Sequence, residues 1–273
     1  MSEPVLLAEN IGPIRRLTMN RPDKLNALDH DLIVALTDAF KEAGEDESVS
    51  VIILAAAGRA FCAGYDLDED AEGGELTAEQ WRADLQDCTD RMFALLYNAK
   101  PSIAQVQSYC LAGGADLMLA CDLAVCSEDA RFGYVDIRFG SGVVTMLLPW
   151  VVGIRKAKEL LFTGEDRIPA DEALKMGLVN RVVPADQLAD AAMELAEAVA
   201  KNEPYVIQMT KRSIHSAWDN QGIKPALDAN VEFDVAIETA NLPARDEFRR
   251  ITKEEGLKAA IAWRDARFRG ETE

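Results

Sequence analysis

Apolar residues along this chain follow two rhythms, and the changes between them mark its elements. Short apolar runs over residues 5–8 and 14–19, divided by Gly12 and Pro13, predict an antiparallel hairpin. Uninterrupted runs over 49–54, 103–107 and 122–126 predict strands buried on both faces. Between them the spacing lengthens: Leu32, Ala35, Leu36, Ala39 and Phe40 recur on one helical face, behind Asp29 as N-cap, predicting a helix to about Ala43. A second, longer helix is predicted over 81–98, stopped by Lys100 and Pro101. Residues 20–26 read as a turn-rich loop and 58–67 as a loop opening a helix, while the acidic 68–79 reads as mobile. Residues 130–136 form a short strand or extended loop, and Gly140–Gly142 opens a segment running to Pro149. Strands alternating with helices predict parallel pairing with right-handed crossovers.

From Ile154 the pattern turns helical, over 157–163, 170–176, 185–201, 205–218, 224–239 and 244–255, with a short apolar run at 178–183. The expected division is an α/β core over 1–200 and a helical region over 201–273.

The centre of this pattern is 108–126, where strand, tight loop, short buried helix and strand follow one another. Its loop carries Gly113 and Gly114, and its helix a lone carboxylate, Asp116. A buried Asp is either hydrogen-bonded scaffolding or chemistry. A second Gly-containing loop, 61–64, also lies between a strand and a helix. In a parallel sheet such loops share the edge where ligands bind. One backbone N–H from each loop would make a two-donor oxyanion hole. Asp136 adds a second isolated carboxylate in the same region. Two carboxylates beside such a hole point to proton transfer next to a carbonyl.

Composition narrows the partners. A formal net charge of −18 argues against nucleic acid and anionic membranes, which are bound through basic patches. Five cysteines in apolar context, with no CxxC pair, fit reduced thiols and a cytoplasmic compartment. No apolar run is long enough to span a membrane, and no signal-peptide pattern opens the chain.

At these residues a family resemblance appears. The motifs are Asn-Arg-Pro-Asp-Lys-Leu-Asn-Ala-Leu over 20–28, Ala-Phe-Cys-Ala-Gly-Tyr-Asp-Leu over 60–67 and Leu-Ala-Gly-Gly-Ala-Asp-Leu-Met-Leu-Ala-Cys-Asp over 111–122. Ala-Arg-Phe-Gly over 130–133, Leu-Phe-Thr-Gly-Glu over 161–165 and the segments near 170–179 and 254–257 complete the set. Together they resemble the crotonase (enoyl-CoA hydratase/isomerase) superfamily. The resemblance implies a spiral of ββα units capped by C-terminal helices, assembled as homotrimers or as hexamers built from two trimers. It implies an acyl-CoA thioester substrate, with coenzyme A part of that substrate and no further cofactor or metal. The thioester carbonyl would sit between the N–H groups of Ala63 and Gly113. Lys24, Leu25 and Ala27 would line the CoA nucleotide, and Ala63, Gly64, Tyr65 and Asp66 the pantetheine.

Asp116 and Asp136 match the two positions where the family's hydratases carry Glu, one orienting water and one protonating the α-carbon. Each Asp is a methylene shorter, about 1–1.5 Å of reach, a displacement that weighs on rate. Asp at the first position is similar to the family's dienoyl-CoA isomerases, but the further Asp of those enzymes has no counterpart in loop 140–145. The implied activity is hydration of a 2-enoyl-CoA. Double-bond isomerisation and a non-catalytic acyl-CoA-binding role are the alternatives. Asp66 reads as a helix cap, Tyr65 either lines the acyl pocket or packs, and His30 and His215 read as non-catalytic.

Overall fold

The computed structural model describes residues 3–67 and 76–269. The stretch expected to be mobile falls mostly on 68–75, outside the described residues. Strands β1 (Leu6–Ile11) and β2 (Ile14–Met19) form the expected antiparallel hairpin, with Leu6 opposite Met19 and Ile11 opposite Ile14. The sheet then continues in parallel through β3 (Val51–Ala56), β4 (Ser102–Val106), β6 (Leu123–Ser127) and β9 (Arg181–Val183), in the order β1-β2-β3-β4-β6-β9. A second sheet joins β5 (Tyr109–Leu111), β7 (Arg131–Gly133) and β8 (Ile168–Pro169). Twice the chain steps from the large sheet to the small one, β4 to β5 and β6 to β7, and helix α3 (Gly113–Leu119) returns it after the first step.

The period of two within each strand decides what packs on which face. Ile52 and Leu54 join Leu32, Leu36 and Phe40 of helix α1 (His30–Glu45) in the main core. Val51 and Ile53 point the other way, into a second cluster closed by Leu188, Ala191 and Ala196 of helix α7 (Leu188–Ala200). With both faces covered, the strands read as unbroken apolar runs. Asp29 caps α1 as expected, its Oδ1 accepting from Leu32 N–H at 2.9 Å. Helix α2 (Ala78–Leu96) begins three residues earlier than its apolar pattern, because Thr77 and Gln80 form a reciprocal capping box.

Short helices α4 (Leu148–Val152), α5 (Ile154–Thr163) and α6 (Ala170–Lys175) follow the second sheet's first strands. Beyond α7 run α8 (Pro204–Gln221), α9 (Ile223–Glu238), α10 (Pro243–Glu255) and α11 (Leu257–Arg269). Sequence periodicity did not mark α11, whose apolar residues are scattered around the helix rather than gathered on one face. Helix α9 packs along α2 through Val231, Val235 and Leu85. Lys211 and His215 of α8 reach Asp122, at the start of β6, at 2.7 and 3.6 Å and tie that helix to the sheet. His215 is thus committed to packing, stacked on Trp218 and away from the central loops. No helix of the described residues is long and apolar enough to cross a membrane.

Candidate active site

Loop 61–66 lies between two backbone partners. On one side Ala63 N–H donates to Leu25 O at 3.1 Å, Leu28 N–H to Gly64 O at 2.8 Å and Asp66 N–H to Leu28 O at 3.0 Å. On the other, Cys62 N–H donates to Tyr109 O at 3.1 Å and Leu111 N–H to Cys62 O at 3.0 Å. Loop 111–114 is thereby drawn against it: a Cβ on Gly64 would meet the Ala112 Cβ at 2.7 Å and Gly113 N at 3.6 Å. Ala112, in the left-handed region at φ 52°, turns the chain sharply into α3. The two glycine loops meet at one sheet edge, as their sequence context requires.

The identity of the first donor needs correction. Ala63, expected to supply an oxyanion-hole N–H, spends that group on Leu25 O. Tyr65 N–H and Gly113 N–H have no acceptor among the described residues. Tyr65 N–H escapes the ladder because residues 63–66 pair with 25–28 through alternate N–H groups. The Tyr65 ring then lies across Gly113, where an added Cβ would come within 2.5 Å of Cε2.

Tyr65 also lines a small apolar cavity of about 20 Å³ between α1, α2 and α3, with Ile33, Leu36, Met92, Leu95 and Leu117. Its hydroxyl is buried beside the Cys88 thiol. The hydroxyl of Tyr134, fully buried and close to Asp116 and Asp136, has no partner among the described residues.

Asp116 sits in the first turns of α3, 2% exposed. Its Oδ2 accepts from Thr145 N–H at 3.4 Å, and its Oδ1 has no donor among the described residues. Burial, and the neighbouring Asp136 and Asp234, push this carboxyl well above the usual range. Asp136 opens a 3-10 turn (Asp136–Phe139) directly after β7 and is half-buried. Burial and the charge of Glu238 push it up to about 7, against the opposing pull of its own backbone N–H and of Arg264. Both carboxyls are therefore biased toward the protonated form, and Asp136 is placed to gain or lose a proton near neutral pH.

Other expected site residues fall around this centre. Lys24 is exposed at the end of a 3-10 turn (Pro22–Lys24), with Leu25 behind it at φ 53° and Ala27 buried. Asp66 is buried against Arg21, whose Nη2 lies 2.9 Å from Asp66 Oδ2 and 2.8 Å from Asp29 Oδ2. Arg21 Nη1 also donates to Ala27 O. Asn26 accepts from Arg21 N–H at 2.9 Å and donates to Ala57 O and Ala60 O at 2.8 and 2.9 Å, fastening loop 21–28 to loop 57–60.

Sequence reasoning passed over Arg21, Asn26, Tyr134 and Asp234. A signal for Asp234 was present. Asn230, Asp234 and Glu238 recur every four residues on α9, a polar stripe beside the buried Leu227, Val231 and Val235.

An edge built from two glycine loops, two backbone donors unspent among the described residues and a carboxyl pair has the groups that stabilising an enolate and moving a proton beside it require. The family model described as "Enoyl-CoA hydratase/isomerase" matches residues 9–258. A solved enoyl-CoA hydratase/isomerase from Xanthobacter autotrophicus Py2 superimposes with a TM-score of 0.94 at 40% identity, over 97% of this chain and 99% of that one. The short-chain-enoyl-CoA hydratase of Clostridium acetobutylicum is 33% identical over 84% of this chain and 86% of its own length. The 2,3-dehydroadipyl-CoA hydratase of Escherichia coli is 33% identical over 93% and 94%. This chain belongs to the enoyl-CoA hydratase/isomerase family, and its fold is the crotonase-like α/β spiral with a C-terminal helical region.

Proposed function

We propose that this chain is an enoyl-CoA hydratase, adding water across a 2-enoyl-CoA through a thioester enolate. The observation that carries the reading is the pair of unspent N–H groups, Tyr65 and Gly113, on adjoining loops in a site with two carboxyls that burial pushes up. The thioester oxygen accepts from both N–H groups, which lowers the cost of negative charge developing there. Ionised Asp136 takes a proton from water as its oxygen attacks the β-carbon, then returns that proton to the α-carbon. Protonated Asp116 hydrogen-bonds the same water and fixes its line of attack.

The loop carrying Lys24, Leu25 and Ala27 takes the nucleotide end of CoA, and 63–66 lies along the pantetheine. The apolar lining beside Tyr65, with Leu36, Met92 and Leu117, supports placing the start of the acyl chain there. A homotrimeric assembly, with helices beyond residue 200 in its contacts, is supported by exposed Phe162, Tyr205, Ile214 and Phe233. Five unpaired thiols support a reducing, cytoplasmic setting.

Purified protein is expected to consume crotonyl-CoA and release the 3-hydroxyacyl thioester. Asp136→Asn is expected to lower kcat by roughly 10²–10⁴-fold. Conversion of a 3-enoyl-CoA into the conjugated thioester with little hydration would instead establish the isomerase. Silence on both, with acyl-CoA binding retained, would leave a binding protein.

A further inference from the structure

Loop 141–145 is gripped from helix α9 and from helix α3 at successive residues. Ser141 Oγ donates to Glu238 Oε1 at 2.5 Å, and Gly142 N–H approaches the same oxygen at 3.3 Å. Asp234 presses on Gly142 so closely that a Cβ there would lie 2.0 Å from Oδ1. Asn230 Nδ2 donates to Val143 O at 2.9 Å, to Val144 O at 3.2 Å and to Asp234 Oδ2 at 3.2 Å. Thr145 N–H closes the series on Asp116.

The acids around this loop are not equally served. Glu238 has Arg245, 2.8 Å away, and Asp136 has the field of Arg264. Asp116 and Asp234, 2% and 3% exposed, have no cation within ion-pair distance among the described residues. Two buried carboxyls without cations, separated by one short loop, cannot both carry charge cheaply, so charge on one favours the proton on the other.

We propose that Asp234 is a positioning residue for the proposed reaction: a third carboxyl, delivered by α9 through loop 142–145, that keeps Asp116 in its acid form. This inference rests on the hydratase reading of Asp116. Burial, Glu238 and Asp136 push Asp234 up to about 7, so its charge appears near neutral pH and acts on Asp116 above it. The groups facing Asp234 are Asp116 on α3, Asp136 after β7, and Asn230 and Glu238 on its own helix. Arg245 and Arg264 act through Glu238 and Asp136. Helix α2 packs apolar Leu85 against Val231 and Val235 beside it, with Arg82 bound to Glu232.

The sign follows from Coulomb's law. Removing the Asp234 charge lets Asp116 ionise at lower pH, so the alkaline limb of activity moves down. The test is the pH–rate profile of crotonyl-CoA hydration by wild type and Asp234→Asn. It runs beside infrared titration of protonated carboxyls in the unliganded proteins, with Asp116→Asn assigning the Asp116 band. We expect the alkaline limb to shift by about one pH unit, which is roughly tenfold in rate on that limb, with KM little changed. The Asp116 carboxyl band should titrate lower by a similar amount. Superimposable profiles and an unmoved Asp116 band would overturn the proposal, even if the variant melts earlier. Should wild type turn over no enoyl-CoA, the hydratase reading fails, and the infrared titration still decides whether Asp234 controls the Asp116 proton. Asp234→Ser, which removes the charge and relieves the contact with Gly142, serves if the Asn variant does not fold.

Discussion

At the scale of single residues, the site depends on which backbone N–H is left over. Tyr65 and Gly113 are left over because Ala63 and its neighbours pair with loop 25–28, and because Gly113 is the first residue of a helix. Gly113 is also fixed sterically, since the Tyr65 ring occupies the place a side chain would take. Gly113→Ala is therefore expected to displace the ring and the loop together. It should cost about 10²–10³ in kcat while leaving the melting temperature much less affected, as steady-state kinetics beside calorimetry would show. This is also where the sequence was least legible. Gly113, Asp116 and Asp136 stand out as glycine and carboxylate in apolar surroundings, but which N–H of 63–66 stays unspent depends on a register with 25–28 that no local pattern records. Asp234 was hidden for the same reason, its meaning lying in a contact with a glycine far away in the chain.

At the scale of elements, strands and caps were legible because their causes are local. Asp29 caps α1, and the apolar runs became buried parallel strands. What holds the loops of the site together is not local. Asn26, fully buried and in the left-handed region at φ 53°, satisfies two carbonyls of loop 57–60 and one N–H of its own loop. Asn26→Ala strands those groups and is expected to destabilise the protein by about 3 kcal/mol, read as a lower urea midpoint. KM for the CoA ester should rise with it, because the same loop carries Lys24 and Leu25. Arg21→Leu should be similarly costly, since it leaves Asp66 buried without its guanidinium partner.

At the scale of the whole molecule, the buried acids set an unusual pH dependence. Asp116, Asp136 and Asp234 all have carboxyls raised in the folded state, the latter two to about 7. The folded protein thus binds more protons than the unfolded chain between the ordinary carboxylate range and neutrality. Stability from these groups is full below the ordinary carboxylate value of 3.8 and is lost progressively as pH rises through about 7. A lower melting temperature at pH 8 than at pH 5.5 is expected from calorimetry, and Asp234→Asn should narrow the gap. Surface acids such as Asp46 and Glu232, held below their usual range, act only at lower pH. The C-terminal helices thus do more than cover the core, because α9 brings charge to chemistry carried by α3 and β7. The most direct test of the account follows the proton itself, with crotonyl-CoA incubated with the protein in D2O and the product read by NMR. The expected product is a 3-hydroxyacyl thioester carrying one deuterium at C2 in a single configuration, with Asp136→Asn forming product and label roughly 10²–10⁴-fold more slowly. Hydration that persists undiminished in Asp136→Asn, or no hydration by wild type at all, would contradict it.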